Sequence, residues 1–61
     1  METIKQVLMR RDGMSATEAD EQIADAKEQL QEYLKDGDIL AAEDICAEFF
    51  GLEPDYIMEL L

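Results

Sequence analysis

The stretch SATEADEQIADAKEQLQEYLKD, residues 15–36, decides the fold, because it encodes one long helix with two opposed faces. At about 100° per residue, six apolar residues align on one side: Ala19, Ile23, Ala26, Leu30, Tyr33 and Leu34. Five carboxylates repeat at the same spacing on the opposite side, and we call this set the acidic ridge: Glu18, Glu21, Asp25, Glu28 and Glu32. The stretch therefore predicts a core-forming face and a charged face in one element.

Both ends of this helix carry local signals. Ser15 and Glu18 form the capping box Ser-Ala-Thr-Glu at the start. Gly37 supplies the left-handed residue that ends a helix, and Asp38 follows as the cap of the next one. Two helices joined by so short a connection are expected to lie antiparallel as a hairpin.

Shorter helices are predicted on either side of this long one. The first covers Thr3–Asp12 and begins with a second capping box, completed by Gln6. A third helix is predicted over Ile39–Phe50, with Ile39 and Phe50 at the margins of a buried face formed by Ala42, Ile45, Cys46 and Phe49. A last short helix opens with Pro54 at its first position and is predicted to bury Ile57, Leu60 and Leu61. No stretch alternates with the period of two that strands require. The expected fold is all-α: a small three-helix bundle with a short fourth C-terminal helix and a long central second helix, in a single domain covering residues 1–61.

Composition and charge narrow the classes of partner. Apolar residues form 48% of the 61 residues, which is enough for a packed core. The net charge is −11 and is uneven, because three basic and two acidic residues in 1–13 leave the remaining chain at −12. Such a surface repels nucleic-acid phosphates and anionic lipids. The sequence therefore predicts no direct binding of nucleic acid and no membrane binding, and it favours a protein partner, basic where charge steers the encounter.

The sequence also indicates a compartment. Cys46 is the single cysteine, so no disulfide forms within the chain. No apolar run approaches the roughly 20 residues of a membrane span, and the first residues lack the pattern of a signal peptide. We expect a cytoplasmic protein, either monomeric or homodimeric.

Catalytic and metal chemistry find little support in these residues. The chain holds no histidine to activate Cys46, and 61 residues leave little room for a cleft that separates the pKa values of two carboxyl groups. A calcium loop starting at Asp36 fails, because its fifth and sixth positions are Leu40 and Ala41. We expect no enzyme, no cofactor and no metal site.

Two surfaces remain as candidate binding sites. The acidic ridge is either a solvated face or a row of carboxylates, about 5–6 Å apart, that imitates nucleic-acid phosphates. The chain end is rich in apolar residues, and any part that the core leaves uncovered forms a candidate apolar docking patch: Phe50, Met58 and Leu61. The leading hypothesis is a small acidic helical protein–protein interaction module. The alternatives are a phage-type inhibitor that blocks a basic nucleic-acid-binding protein, and a self-associating homodimer.

Two stretches resemble signatures of small acidic helical proteins of bacteriophages and mobile elements. They are RDGMSATEA, residues 11–19, and FGLEPDYI, residues 50–57. The resemblance implies a phage or prophage setting and no known activity.

Overall fold

The computed structural model describes residues 2–61, and this part of the chain folds into helices without any strand. The all-α class and the long second helix are therefore confirmed. Four α-helices and a final 3₁₀ helix follow one another: α1 Ile4–Arg11, α2 Ala16–Lys35, α3 Ile39–Glu43, α4 Ile45–Phe50 and α5 Pro54–Glu59. The 20 residues of α2 measure about 30 Å, close to the 33 Å longest dimension of the molecule.

Both predicted capping boxes are present. At α1, the Gln6 N–H donates to Thr3 Oγ1 over 3.2 Å, and the Thr3 N–H donates to Gln6 Oε1 over 2.8 Å. At α2, the Glu18 N–H donates to Ser15 Oγ over 3.1 Å, and the Ser15 N–H donates to Glu18 Oε1 over 3.2 Å. Each box satisfies two backbone donors that a helix start would otherwise leave unpaired.

The turn between α2 and α3 is as short as the sequence predicts. Gly37 has φ +74°, and the next N–H, that of Asp38, donates back to the Tyr33 carbonyl over 2.8 Å. The Asp38 carboxylate in turn accepts the Ala41 N–H over 3.2 Å and caps α3. The chain then returns along α2. The Gln22 side-chain amide donates to the carbonyl of Phe49, near the end of α4. This bond places the end of α4 beside the N-terminal half of α2.

The predicted single helix over Ile39–Phe50 was wrong, because it is divided at Asp44. This residue has ψ 0°, whereas an α-helix requires about −42°. Aspartate is a weak helix former within a helix interior. The break leaves no backbone group stranded, since the Asp44 N–H donates to the Leu40 carbonyl and the Asp44 carbonyl accepts the Glu48 N–H over 2.9 Å. The described chain therefore has five helical elements where four were expected.

The core is assembled around α2. Ala19, Ala26 and Leu30 are fully buried, which confirms three of the six residues of the predicted apolar stripe as core. Ile23 and Tyr33 are partly covered, and Leu34 remains 39% exposed, so the stripe stops being core at its C-terminal end. The other elements and their flanks supply the remaining buried residues of the cluster: Ile4, Leu8, Ala42, Ile45, Cys46, Phe50 and Leu60.

Three side chains far apart in sequence hold the short helices in place. The last carbonyls of α4 have no partner within that helix, and they are satisfied from outside: Arg11 Nη2 donates to the Phe50 carbonyl over 2.6 Å, and Gln22 Nε2 to that of Phe49 over 3.0 Å. A helix start is satisfied in the same way, because the Ile4 N–H at the start of α1 donates to Glu59 Oε1 over 2.9 Å. These bonds tie α1, α2, α4 and α5 together.

We expect Arg11→Met to lower the melting temperature more than Arg10→Met. Both arginines pair with one carboxylate through two hydrogen bonds, Arg10 with Glu2 and Arg11 with Asp12. Only Arg11 also donates to the Phe50 carbonyl, so the difference between the variants isolates that bond. A gap of about 5 °C is expected in thermal melts followed by circular dichroism. Superimposable melts of the two variants would contradict a stabilising role for the Arg11–Phe50 bond.

Candidate functional site

The acidic ridge lies along one exposed side of α2. All five of its residues are exposed, and from Glu18 to Glu32 they extend over about 21 Å. Among the contacts within residues 2–61, the carboxylates of four of them take part in no hydrogen bond or ion pair: Glu21, Asp25, Glu28 and Glu32. Glu18 differs, because its carboxylate accepts the Ser15 N–H in the capping box.

Three of the five basic side chains pair with carboxylates outside the ridge. Lys5 contacts Asp20 over 3.1 Å, Arg10 contacts Glu2 over 2.7 Å, and Arg11 contacts Asp12 over 2.9 Å. The hydrogen bonds from Arg10 and Arg11 are the main reason that the pKa values of the Glu2 and Asp12 carboxyls are lowered. No ion pair between residues 2–61 involves a ridge carboxylate.

A shallow depression of about 290 Å³ lies on the N-terminal half of the ridge. Three carboxylates, a thioether and an amide line it: Met14, Glu18, Glu21, Gln22 and Asp25. One side is held in place because Gln22 donates to the Phe49 carbonyl. The described residues contain no group of three carboxylate or thiol side chains close enough to hold a metal ion. An apolar surface beside several carboxylates suits the aliphatic stem and cationic head of a lysine or arginine.

The candidate apolar docking patch needs a correction. Phe50 is only 2% exposed, and its ring packs edge-to-face on Phe49 with 6.2 Å between the centroids. The sequence placed Phe49 on the buried face and Phe50 at its margin. Phe50 lies one turn after the buried Cys46, so the helical period is compatible with burial of either phenylalanine, and the fold buries Phe50 more deeply than Phe49. Phe50 is therefore unavailable to a partner.

The other two patch residues are exposed. Met58 is 78% exposed and Leu61 is 73% exposed, although the sequence analysis expected Leu61 on the buried side of the last helix. Leu60 takes that buried position instead. Residues 54–59 form a 3₁₀ helix, which has three residues per turn, so positions spaced for an α-helix do not share its buried side.

A second exposed apolar surface was missed from the sequence. Ile39, placed at the margin of the buried face, is 53% exposed, and Leu40 is 77% exposed. Together with Leu34 they form a group at the turn between α2 and α3, which we call the corner. The sequence did carry a signal. At about 100° per residue, Leu40 falls opposite the side that Ala42, Ile45 and Cys46 share, and the residues three and four positions after it are Glu43 and Asp44.

Cys46 is buried, which confirms its prediction as a small apolar core residue. Burial, and next the negative charge of Glu59, raise the pKa of its thiol. Because the thiolate is the nucleophilic form, this side chain is a poor nucleophile in the folded protein.

We expect Cys46 to resist modification by a disulfide reagent such as Ellman's reagent in the native protein. Reaction requires opening of the core, so its rate should follow the small population of open molecules. The same protein in about 6 M guanidinium chloride, where it is unfolded, is the control and should react at once. A stoichiometric fast reaction in native buffer, with the helical circular dichroism unchanged, would contradict the buried position.

The membrane-spanning character of the helices and the similarity of the chain to known proteins bear on the class of protein. None of the helices within residues 2–61 combines the length and the apolar character needed to cross a membrane. Comparison with known protein families, curated proteins and solved structures found no match to this chain. The resemblance to proteins of phages and mobile elements stays a prediction.

Proposed function

We propose that this protein is a small interaction module that binds a basic region of another protein through the acidic ridge. The observation that supports this most directly is the row of four carboxylates without a partner in residues 2–61: Glu21, Asp25, Glu28 and Glu32. Like charges at this spacing oppose each other along the helix, so the arrangement is unfavourable for the isolated protein. A cationic surface laid against the ridge relieves that repulsion.

The depression gives the partner a defined contact. A lysine or arginine side chain placed there would lay its stem on Met14 and bring its charge near Glu21 and Asp25. The negative potential of the ridge would speed the encounter and select basic partners over acidic ones. The same potential disfavours nucleic acid and anionic membranes as direct ligands. A cytoplasmic setting remains part of this proposal.

A narrower version of the proposal is phosphate mimicry. The ridge carboxylates stand on one unbroken 20-residue helix, about 5–6 Å apart, and all are exposed. A row of this kind suits the groove in which a nucleic-acid-binding protein holds its phosphates. The protein would then act as a phage-type inhibitor that occupies the groove.

We expect Glu21→Gln with Glu28→Gln to keep the fold and to weaken binding of the partner at least tenfold. The control is Glu53→Gln with Asp55→Asn, which removes two charges from exposed positions on α5 and its flank. Each protein would be used to capture partners from host extract, and the dissociation constants of the identified partner would be compared by calorimetry. Binding to the wild type should also weaken steeply as salt rises through the physiological range.

The outcomes separate the hypotheses. An equal loss of affinity in both double variants would show that net charge, and not the ridge, attracts the partner. A captured nucleic-acid-binding protein that releases its nucleic acid would support phosphate mimicry. An empty eluate together with a dimer in sedimentation would overturn the proposal in favour of the homodimer.

A further inference from the structure

Half of the large apolar residues that the described chain leaves exposed lie within seven residues of each other. They are the three side chains of the corner, with exposures of 39% at Leu34, 53% at Ile39 and 77% at Leu40. The turn that carries them is held by its own hydrogen bonds, from the Asp38 N–H to the Tyr33 carbonyl and from the Ala41 N–H to the Asp38 carboxylate. The corner is therefore an apolar surface on an ordered frame.

Acidic side chains surround this surface. Four acidic residues lie within four positions of Leu40 in the sequence, and all of them are exposed: Asp36, Asp38, Glu43 and Asp44. Lys35 is the single basic residue between positions 28 and 61. The corner thus combines an apolar centre with a negative rim, which is the usual arrangement of a protein–protein contact.

The charge of the rim selects the occupant. We propose that the corner is a docking surface for a basic amphipathic helix of another protein, whose apolar face covers Leu34, Ile39 and Leu40. A second copy of this chain would bring two acidic rims together, and an anionic lipid surface would be repelled by the same rim. Both are therefore poorer occupants than a basic helix.

The corner is separate from the depression on the ridge, so this inference goes beyond the proposed function. Asp25, the last residue of the depression, and Leu34 are nine positions apart on α2, which corresponds to about 14 Å along the helix. The ridge substitutions Glu21→Gln and Glu28→Gln leave the corner side chains in place, and the corner substitutions leave the ridge carboxylates in place.

The test uses a fluorescent synthetic peptide of leucine and lysine, patterned as an amphipathic helix, and measures its binding by anisotropy. The corner variant is Ile39→Ser with Leu40→Ser. The matched control is Met58→Ser with Leu61→Ser, because Met58 and Leu40 have nearly the same exposure, 78% and 77%. We expect at least tenfold weaker binding to the corner variant and less than a twofold change with the control. Circular dichroism checks that both variants remain folded.

A second peptide, with the same lysines and serine in place of leucine, separates charge from apolar contact. It should bind the wild type and the corner variant equally weakly. Equal effects of the two protein variants on the leucine peptide would overturn the proposal, as would the absence of any binding. A wild-type dimer in sedimentation that the corner variant abolishes would also overturn it, since the occupant would then be a second copy.

Discussion

Leu30→Ala should leave the protein largely unfolded at 37 °C. Leu30 lies near the middle of α2 and is fully buried. Truncation of a buried leucine to alanine costs about 2–5 kcal/mol through lost burial and the cavity left behind. A domain of this size holds only about 3–5 kcal/mol in total. The expected result is a loss of most helical signal in circular dichroism at 37 °C, with a broad transition shifted to low temperature.

The matched control is Leu34→Ala, one turn further along the same helix. Leu34 is 39% exposed, so the same change in chemistry removes less buried surface and leaves no closed cavity. We expect it to cost less than about 1 kcal/mol. If Leu30→Ala melted cooperatively near the wild-type temperature, the apolar stripe of α2 would not be the core of the fold.

Phe50→Ala should be at least as damaging, at about 3–5 kcal/mol of unfolding free energy. The ring is 2% exposed and belongs to the same buried cluster as Leu30. Met58→Ala is the control from the same predicted docking patch, and its side chain is 78% exposed. Urea unfolding of the two variants should therefore give a large loss of stability for the first and a change within about 0.5 kcal/mol for the second.

This pair also tests the correction to the apolar patch. A Phe50→Ala variant as stable as the wild type would place Phe50 on the surface and restore it to the patch. A strongly destabilised Met58→Ala variant would mean that the final helix packs more deeply than its exposure shows.

Local features of the fold were predictable, because they depend on residues a few positions apart. The capping boxes at Thr3 and Ser15 each join residues three positions apart, and the stop at Gly37 requires only a residue that tolerates positive φ. The buried middle of α2 followed from its helical period. These elements involve no choice between distant alternatives.

The predictions that were wrong or missing concern features that depend on tertiary contacts. The apolar period over residues 39–50 runs through Asp44 without interruption, so no pattern there indicated the division. The same period is compatible with burial of either Phe49 or Phe50, and only the packed structure distinguishes them. No pattern in the sequence connects Arg11 with the Phe50 carbonyl, because the bond joins positions 39 apart.

The candidate site shows the same distinction. Exposure of the acidic ridge followed from the helical period of α2, since the opposite face was needed for the core. The depression did not, because Gln22 and Met14 line it only once α4 and the chain before α2 are in place. The exposure of Leu40 in the corner was missed, although the helical period of residues 39–50 places Leu40 opposite Ala42, Ile45 and Cys46.

The hydrogen bond between the Ile4 N–H and the Glu59 carboxylate makes the path of the chain nearly a closed loop. The Ile4 amide in the first turn of α1 donates to the Glu59 side chain in the last turn of α5, so neither helix can move away without breaking this hydrogen bond. A ligand that pulled α5 away would release the Ile4 amide to water and expose it to hydrogen exchange. It would also withdraw the Glu59 charge from Cys46. The hydrogen bond therefore links the first turn of α1 directly to the last turn of α5, without passing through the long helix.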